Sequence, residues 1–388
     1  MNRLLTGILI AAILLPGPLL AAGPQRLALS DRSLWPYDFS SPDRFDLASR
    51  FEIAAFSAAL DNYFAENKDL GEALGLSDIN ESSVRDWTEL TRQRLLQNFR
   101  HASASCRGDI ALLCPTVPIA DWTQLARLLP GSTLSPELSD WRDSALRFYA
   151  DYIYEQLRLA ALHPRISSEI AGLDPQEILG YEFPDRHFLL TFDDGPTQAG
   201  GNTDKLVHIL RSERVSASFF MLGERLQQRL EQQPAAVVSQ LYAGMCPASH
   251  AFVHKSHAKL ADWQDSVART RELLVQTFPE QTSDALAFRP PYGQRLPEAA
   301  ALLAPQGQRI VLWNIDSQDW HKKIDAGQTA DRVMTLMLLW RRGIILFHDV
   351  MPKAQSAIPQ LVGMSRSAGV TWMDCHQLTK GSMIAAAR

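Results

Sequence analysis

No Cys-x-x-Cys pair occurs in this 388-residue chain, and it has only four cysteines. That spacing argues against a thiolate zinc site and against a thioredoxin-like redox centre. A long basic run is also missing, and 38 Lys and Arg against 43 Asp and Glu leave a formal net charge of −5. Such a balance has no general attraction for nucleic acid or anionic lipid, so no nucleic acid is expected as a partner. Past the N-terminal segment, no apolar stretch reaches the roughly 18 to 20 residues a spanning helix needs. What is present, 46% hydrophobic and 21% charged residues, fits a globular protein able to bury a large core in more than one domain.

Residues 1–22 read as a signal peptide. Asn2-Arg3 gives a short positive start, Leu4 to Leu15 is almost wholly apolar, and Leu20-Ala21-Ala22 offers small residues for cleavage. Pro16 and Pro18 interrupt the run before it is long enough to span a bilayer. The expectation is therefore export, to the periplasm or as a secreted protein, with no stable membrane span after cleavage. Export would make the cysteines disulfide partners. Spacing favours a local pair, Cys106 with Cys114, leaving Cys246 and Cys375, although four cysteines allow three pairings.

The hydrophobic pattern changes near residue 180. From about Ser41 to Leu162 the apolar residues recur at helical spacing, which predicts a mainly α-helical N-terminal domain over 23–180, with no catalytic constellation to show its role. Phe45, Leu47, Phe51, Ile53, Ala54 and Leu60 form one stripe, with Ser41-Pro42 as cap and first-turn proline. A second helix starts at Ser82 or Ser83 and runs through Leu96, and a third spans Trp141 to Leu162. The aromatics of that third helix, Trp141, Phe148, Tyr149, Tyr152 and Tyr154, are expected to be core, with a sugar-stacking surface as the alternative.

Over 181–388, short apolar runs alternate with amphipathic stretches: Phe188 to Phe192, Ala217 to Leu222, Ala285 to Phe288, Ile310 to Ile315, Ile344 to Phe347 and Val370 to Met373, with a weaker run at Tyr242 to Cys246. The alternation implies parallel strands with crossover helices, in a barrel or an open doubly wound sheet. Functional groups of such folds gather at the C-terminal ends of strands. The first run leads into Asp193-Asp194-Gly195-Pro196, two adjacent carboxylates followed by a chain-turning pair. Neighbours on an extended segment point oppositely, so one acid would hold a metal and the other serve as a base. His250 and His254 stand at i and i+4, about one helical turn apart and able to converge on one ion. Further run ends carry Arg289-Pro290-Pro291-Tyr292-Gly293, Asp316-Ser317-Gln318-Asp319-Trp320 and Leu346-Phe347-His348-Asp349.

In order and wording, these five motifs resemble the NodB-homology polysaccharide deacetylases, carbohydrate esterase family four, over roughly residues 186 to 380. The resemblance implies an α/β fold, a distorted (β/α)7-8 barrel, and metal-dependent removal of acetyl groups from an acetylated polysaccharide or oligosaccharide, most often at N-acetylglucosamine. It implies Asp194, His250 and His254 as ligands of a divalent metal ion, Zn2+ by preference, and Asp193 as the base acting on water. Arg289 would orient Asp193, and the Tyr292 backbone N–H would help stabilise the oxyanion. His348 would protonate the leaving amine, with Asp319 favouring its charged form, and Trp320 and Leu346 would line the acetyl pocket. Ser249, Ala251 and Lys255 depart from the family's usual Asn, Thr and Pro around the histidines, and Met245-Cys246-Pro247-Ala248 departs upstream. Loss of that polar support weakens metal affinity without removing a ligand. Two other readings use the same residues: an esterase for O-acetyl groups, and a catalytically idle carbohydrate-binding or assembly protein.

Overall fold

The computed structural model describes residues 26–106, 112–162, 170, 172–282 and 286–378. The segment read as a signal peptide, 1–22, lies outside the described residues, as does Ala285. Among the described residues, eight strands, all paired in parallel, form one sheet: β1 (His187–Asp193), β2 (Ala217–Met221), β3 (Cys246–Ser249), β4 (Leu286–Phe288), β5 (Gln308–Ile310), β6 (Ile315–Asp316), β7 (Gly343–His348) and β8 (Thr371–Trp372). Their order is β5-β4-β3-β2-β1-β7-β6, with β8 against β1. Helices alternate with the strands, giving the distorted (β/α) barrel that the family resemblance implies. Alternation along each strand separates two cores. Leu189, Phe220, Ala248, Phe288, Ile344 and Leu346 fill the inner face, while Phe188, Leu190, Phe192, Phe219, Ile345 and Phe347 pack outward against helices.

One strand expectation needs correction. The run Ile310 to Ile315 is not a single strand: its ends lie on opposite edges of the sheet, β5 beside β4 and β6 beside β7. Residues 311–314 carry the chain across the open side, where Ile178 bridges Val311. Two carbonyls of this crossing, Val311 and Leu312, accept hydrogen bonds from the Arg289 side chain. A buried carbonyl outside a ladder needs such a partner.

The N-terminal half is helical, with long helices at Pro42–Glu66, Glu81–Ala102 and Pro136–Leu162. Ser41 caps the first, its Oγ accepting from the Arg44 N–H, and Pro42 takes the first turn, where its missing N–H costs nothing. The second begins one residue before the predicted serines, capped by Asn80, whose Oδ1 accepts from the Ser83 N–H. Trp141, Phe148, Tyr149, Tyr152 and Tyr154 are all at most 4% exposed, so they are core and not a sugar platform.

This half shares one apolar core with the barrel's outer helices, above all the Ala326–Trp340 helix. That helix ends inside the protein, where its last carbonyls have no intrahelical partner. Ser49 donates to the Leu338 carbonyl at 2.7 Å, and the Asn98 amide donates to those of Leu339 and Trp340. Disulfides Cys106–Cys114 and Cys246–Cys375 complete the framework. The first is the local pair expected from spacing. The second ties β3 to the chain just after β8.

Candidate active site

Asp193 and His348 end adjacent strands and pair in register, so both side chains top the same inner face. Asp194 follows in the left-handed region at φ 78°, where Asp is among the few non-glycine residues tolerated. This turn overrides the alternation expected of neighbouring acids. His250 Nε2 is 3.8 Å from Asp193 Oδ2 and 3.5 Å from Asp194 Oδ1, so both carboxylates face one imidazole. Gly195 holds the turn down, because a Cβ there would lie 1.9 Å from Asp349 Oδ2. Asp349 is buried and accepts from Thr203 Oγ1 at 2.8 Å. Burial pushes its pKa up to about 7 against that hydrogen bond.

Asp194, His250 and His254 offer donor atoms that all lie within 4.8 Å of one another. His254 Nε2 is 3.4 Å from Asp194 Oδ1, a buried oxygen with no hydrogen-bond partner. His250 Nδ1 lies 2.7 Å from the Arg289 carbonyl, which accepts its proton and leaves Nε2 as the free lone pair facing Asp194. Burial drives the His250 pKa well below its usual value, favouring the neutral ligand form. One carboxylate and two imidazoles, converging on an orphaned oxygen, fit a divalent ion such as zinc with open positions. The two histidines do not reach this arrangement along a helix. The chain bends between them, with Ala251 at φ 63°, so the i, i+4 spacing is met by a loop.

Arg289 is fully buried and places every arm. One Nη donates to Asp193 Oδ1 at 2.7 Å and to Thr191 Oγ1 at 2.9 Å; Nε donates to the Val311 carbonyl and the other Nη to that of Leu312. Its guanidinium stacks 4.0 Å over the Phe220 ring. Burial raises the Asp193 pKa and lowers that of Arg289, each opposed by the other's charge. Four acceptors around the guanidinium keep the pair ionised, with Asp193 more basic than an ordinary aspartate.

His348 Nδ1 donates to Asp319 Oδ1 at 2.8 Å, and its backbone N–H to Asp319 Oδ2 at 2.9 Å. Burial opposes its charge, but Asp319, then Asp194 and Asp193, overcome that and raise its pKa to about 10. A raised histidine stabilises the fold fully below its unfolded value of 6.5, and this contribution is lost as pH climbs through about 10. Removing the carboxylate leaves burial dominant. Asp319→Asn is therefore expected to bring the His348 titration, followed by NMR of the imidazole, far down toward or below 6.5. A titration unchanged near 10 would contradict the pairing.

Tyr292 occupies the turn after Pro290-Pro291 at φ 60°, half exposed, with its ring edge-on to His254 at 4.3 Å. Leu346 is buried on the inner face two residues before His348, and Trp320, partly buried, follows Asp319. Sequence reasoning missed Thr191, which links Arg289 to the Ile345 carbonyl, and gave no role to Asp316 or Asp349. Asp349 directly follows His348, so an acid beside a histidine was the available signal. Thr191 offered none.

Against known proteins, residues 180–311 match the polysaccharide deacetylase family. This stretch of the chain is similar to that family. A peptidoglycan-N-acetylglucosamine deacetylase of Bacillus cereus is 31% identical over 37% of this chain and 50% of its own length. A chitooligosaccharide deacetylase of Rhizobium leguminosarum is 27% identical over 46% of this chain and 79% of its own. Among solved structures, a family 4 carbohydrate esterase of Streptomyces lividans in complex with acetate is 28% identical, covering 51% of this chain and 96% of that one, with a TM-score of 0.42. The chain thus spans half the length of the Bacillus relative.

Proposed function

We propose that the chain is an exported, metal-dependent deacetylase that hydrolyses N-acetyl groups of an N-acetylglucosamine-containing glycan, through a catalytic domain over 181–388 joined to a helical domain over 23–180. The observation that carries this is the convergence, at the C-terminal ends of the strands, of Asp194, His250 and His254 beside two separately tuned proton-transfer groups, Asp193 and His348. Two disulfides suit an oxidising compartment.

Asp194, His250 and His254 would hold the divalent ion, which when bound supplies Lewis acidity to water and to the acetyl carbonyl. Asp193, raised by burial and oriented by Arg289, takes the proton of the attacking water. The Tyr292 backbone N–H donates to the oxygen that gains charge. His348, its Nδ1 fixed on Asp319, turns Nε2–H toward the departing nitrogen and protonates it. An amine leaves poorly unless protonated, which is why a strong base partner and a charged histidine are needed on opposite sides. Leu346 and Trp320 supply the apolar wall for the acetyl methyl. The carbonyl of Arg289 keeps His250 aligned.

Chelation is the direct test. Acetate release from N-acetylglucosamine oligomers should disappear after dialysis against a chelator and return on adding zinc or another divalent ion. Release from no acetylated glycan in the metal-loaded protein would defeat the enzyme reading, and release from O-acetylated xylan alone would shift it to an esterase.

A further inference from the structure

The helical half reaches the loop that carries Asp319 through one buried side chain. Arg332, on the Ala326–Trp340 helix, is fully buried; its Nε donates to the Asp316 carbonyl at 3.1 Å and Nη1 to the Ala28 carbonyl at 2.9 Å. Its other contacts go to Glu155 of the Pro136–Leu162 helix, with Nη1 to Oε1 at 3.2 Å and Nη2 to Oε2 at 2.7 Å. Glu155 is 4% exposed and also accepts from the Ala28 N–H at 2.7 Å. The helical half thus provides both the counter-charge and a second backbone anchor for a cation whose remaining arm grips the end of β6.

That grip matters because the turn beyond β6 is strained. Gln318 sits at φ 57°, a left-handed conformation unfavourable for glutamine. The turn is held by Asp316, whose carboxylate accepts from the Gln318 N–H at 2.8 Å and from its side-chain amide at 2.9 Å. The next residue is Asp319, both oxygens of which are committed to His348. Asp316 is also a charged neighbour of Arg332. With Glu155 present, the guanidinium is neutralised by the helical half and leaves the Asp316 carboxylate to the turn. Without Glu155, Asp316 is the acid left to pair with that buried cation, and pairing would pull it from Gln318.

We propose that Glu155 and Arg332 are positioning residues for the proton donor: the helical half acts on the reaction by clamping Arg332, which fixes the Asp316–Asp319 turn and so the alignment of His348. The claim rests on the deacetylase reading for its kinetic consequence, although the structural link itself does not depend on it.

Two variants test it. Glu155→Gln keeps the shape and an acceptor but removes the charge. Arg332→Lys keeps the ion pair, and therefore the fold, but loses the planar fork that spans Asp316, Ala28 and Glu155 together. Both should bind metal at the wild-type stoichiometry. Turnover of a chitin oligomer should fall about tenfold or more with little change in KM, while hydrolysis of 4-nitrophenyl acetate, whose leaving group needs no proton, should stay within about threefold. The downfield imidazole proton of His348 bonded to Asp319 should broaden or shift by NMR. Equal losses on the two substrates, or no loss on either with an unchanged imidazole signal, would overturn the clamp. Wild-type protein that cleaves no glycan would count against the proposed function alone, because the NMR comparison still decides the clamp.

Discussion

Replacing Arg289 by leucine is expected to destabilise the fold by about 3–5 kcal/mol, the usual consequence of leaving one member of a buried charge pair alone. Asp193 would keep its burial, at 3% exposure, while losing its cation, and the Val311 and Leu312 carbonyls would lose their donors. Two effects follow. The Asp193 pKa climbs further, because the burial that already raises it is no longer opposed by Arg289. The crossing at residues 311–314 loses its link through Arg289 to Asp193 and Thr191 of β1, while the Val311 N–H still donates to the Phe288 carbonyl of β4 at 2.8 Å. Urea denaturation measures the first-order effect, and a loss below about 1 kcal/mol, the typical size of a single neutral hydrogen bond, would sink the account. Arg289→Lys is expected to fail nearly as badly, because one ammonium cannot reach acceptors on three sides of a planar guanidinium.

Arg289 also shows how far sequence reasoning reaches. Its role beside Asp193 was legible because the family resemblance carries it, and its charge needs a buried acid. Its grip on Val311 and Leu312 was not, since the apolar run Ile310 to Ile315 has no internal sign that it divides between two sheet edges. Periodicity reports which residues are buried, not which strand each half pairs with. The same limit hid the geometry of the Asp-Asp pair. Alternation predicts opposite directions, and only the left-handed turn at Asp194, held by a glycine too close to Asp349 for any side chain, brings both acids to His250. The two histidines paired by their spacing do lie close together, but through a loop and not a helix, because any loop that bends back within five residues meets the same condition as a helical turn.

The helical half was legible as structure and silent as function. Capping by Ser41, the apolar stripe and the aromatic core all follow from local rules and hold in the fold. Its links to the barrel do not, because they join residues far apart: Glu155 and Arg332 are 177 positions distant, and Ser49 and Leu338 are 289. A lone glutamate on an amphipathic helix reads as a solvated charge. Only the three-dimensional packing turns it into the counter-ion of a buried arginine.

His348→Ala is expected to reduce N-deacetylation of a glycan by about 10²–10⁴-fold, the range that positioned acid catalysis usually supplies, and to cost far less on an activated aryl acetate. The asymmetry follows from the leaving groups. A nitrophenolate departs as the anion, whereas an amine expelled without a proton is too basic to leave. The structure favours His348 for this work because it stays charged through neutral pH, raised to about 10 against its own burial by Asp319, Asp194 and Asp193. A histidine that holds its proton so tightly would be a reluctant donor. Two of the three carboxylates that raise it, however, belong to the cleft that would bind the cation. A divalent ion at Asp194 offsets those charges and should bring His348 down from about 10 toward the working range, leaving Asp319 as its main support. Titration of the His348 imidazole with and without zinc reads this directly. The alkaline limb of glycan turnover should follow the zinc-bound value, and it should vanish from the aryl acetate profile, where no acid is required. Equal losses on both substrates in His348→Ala would instead mean that the imidazole helps to shape the cleft rather than to protonate the product.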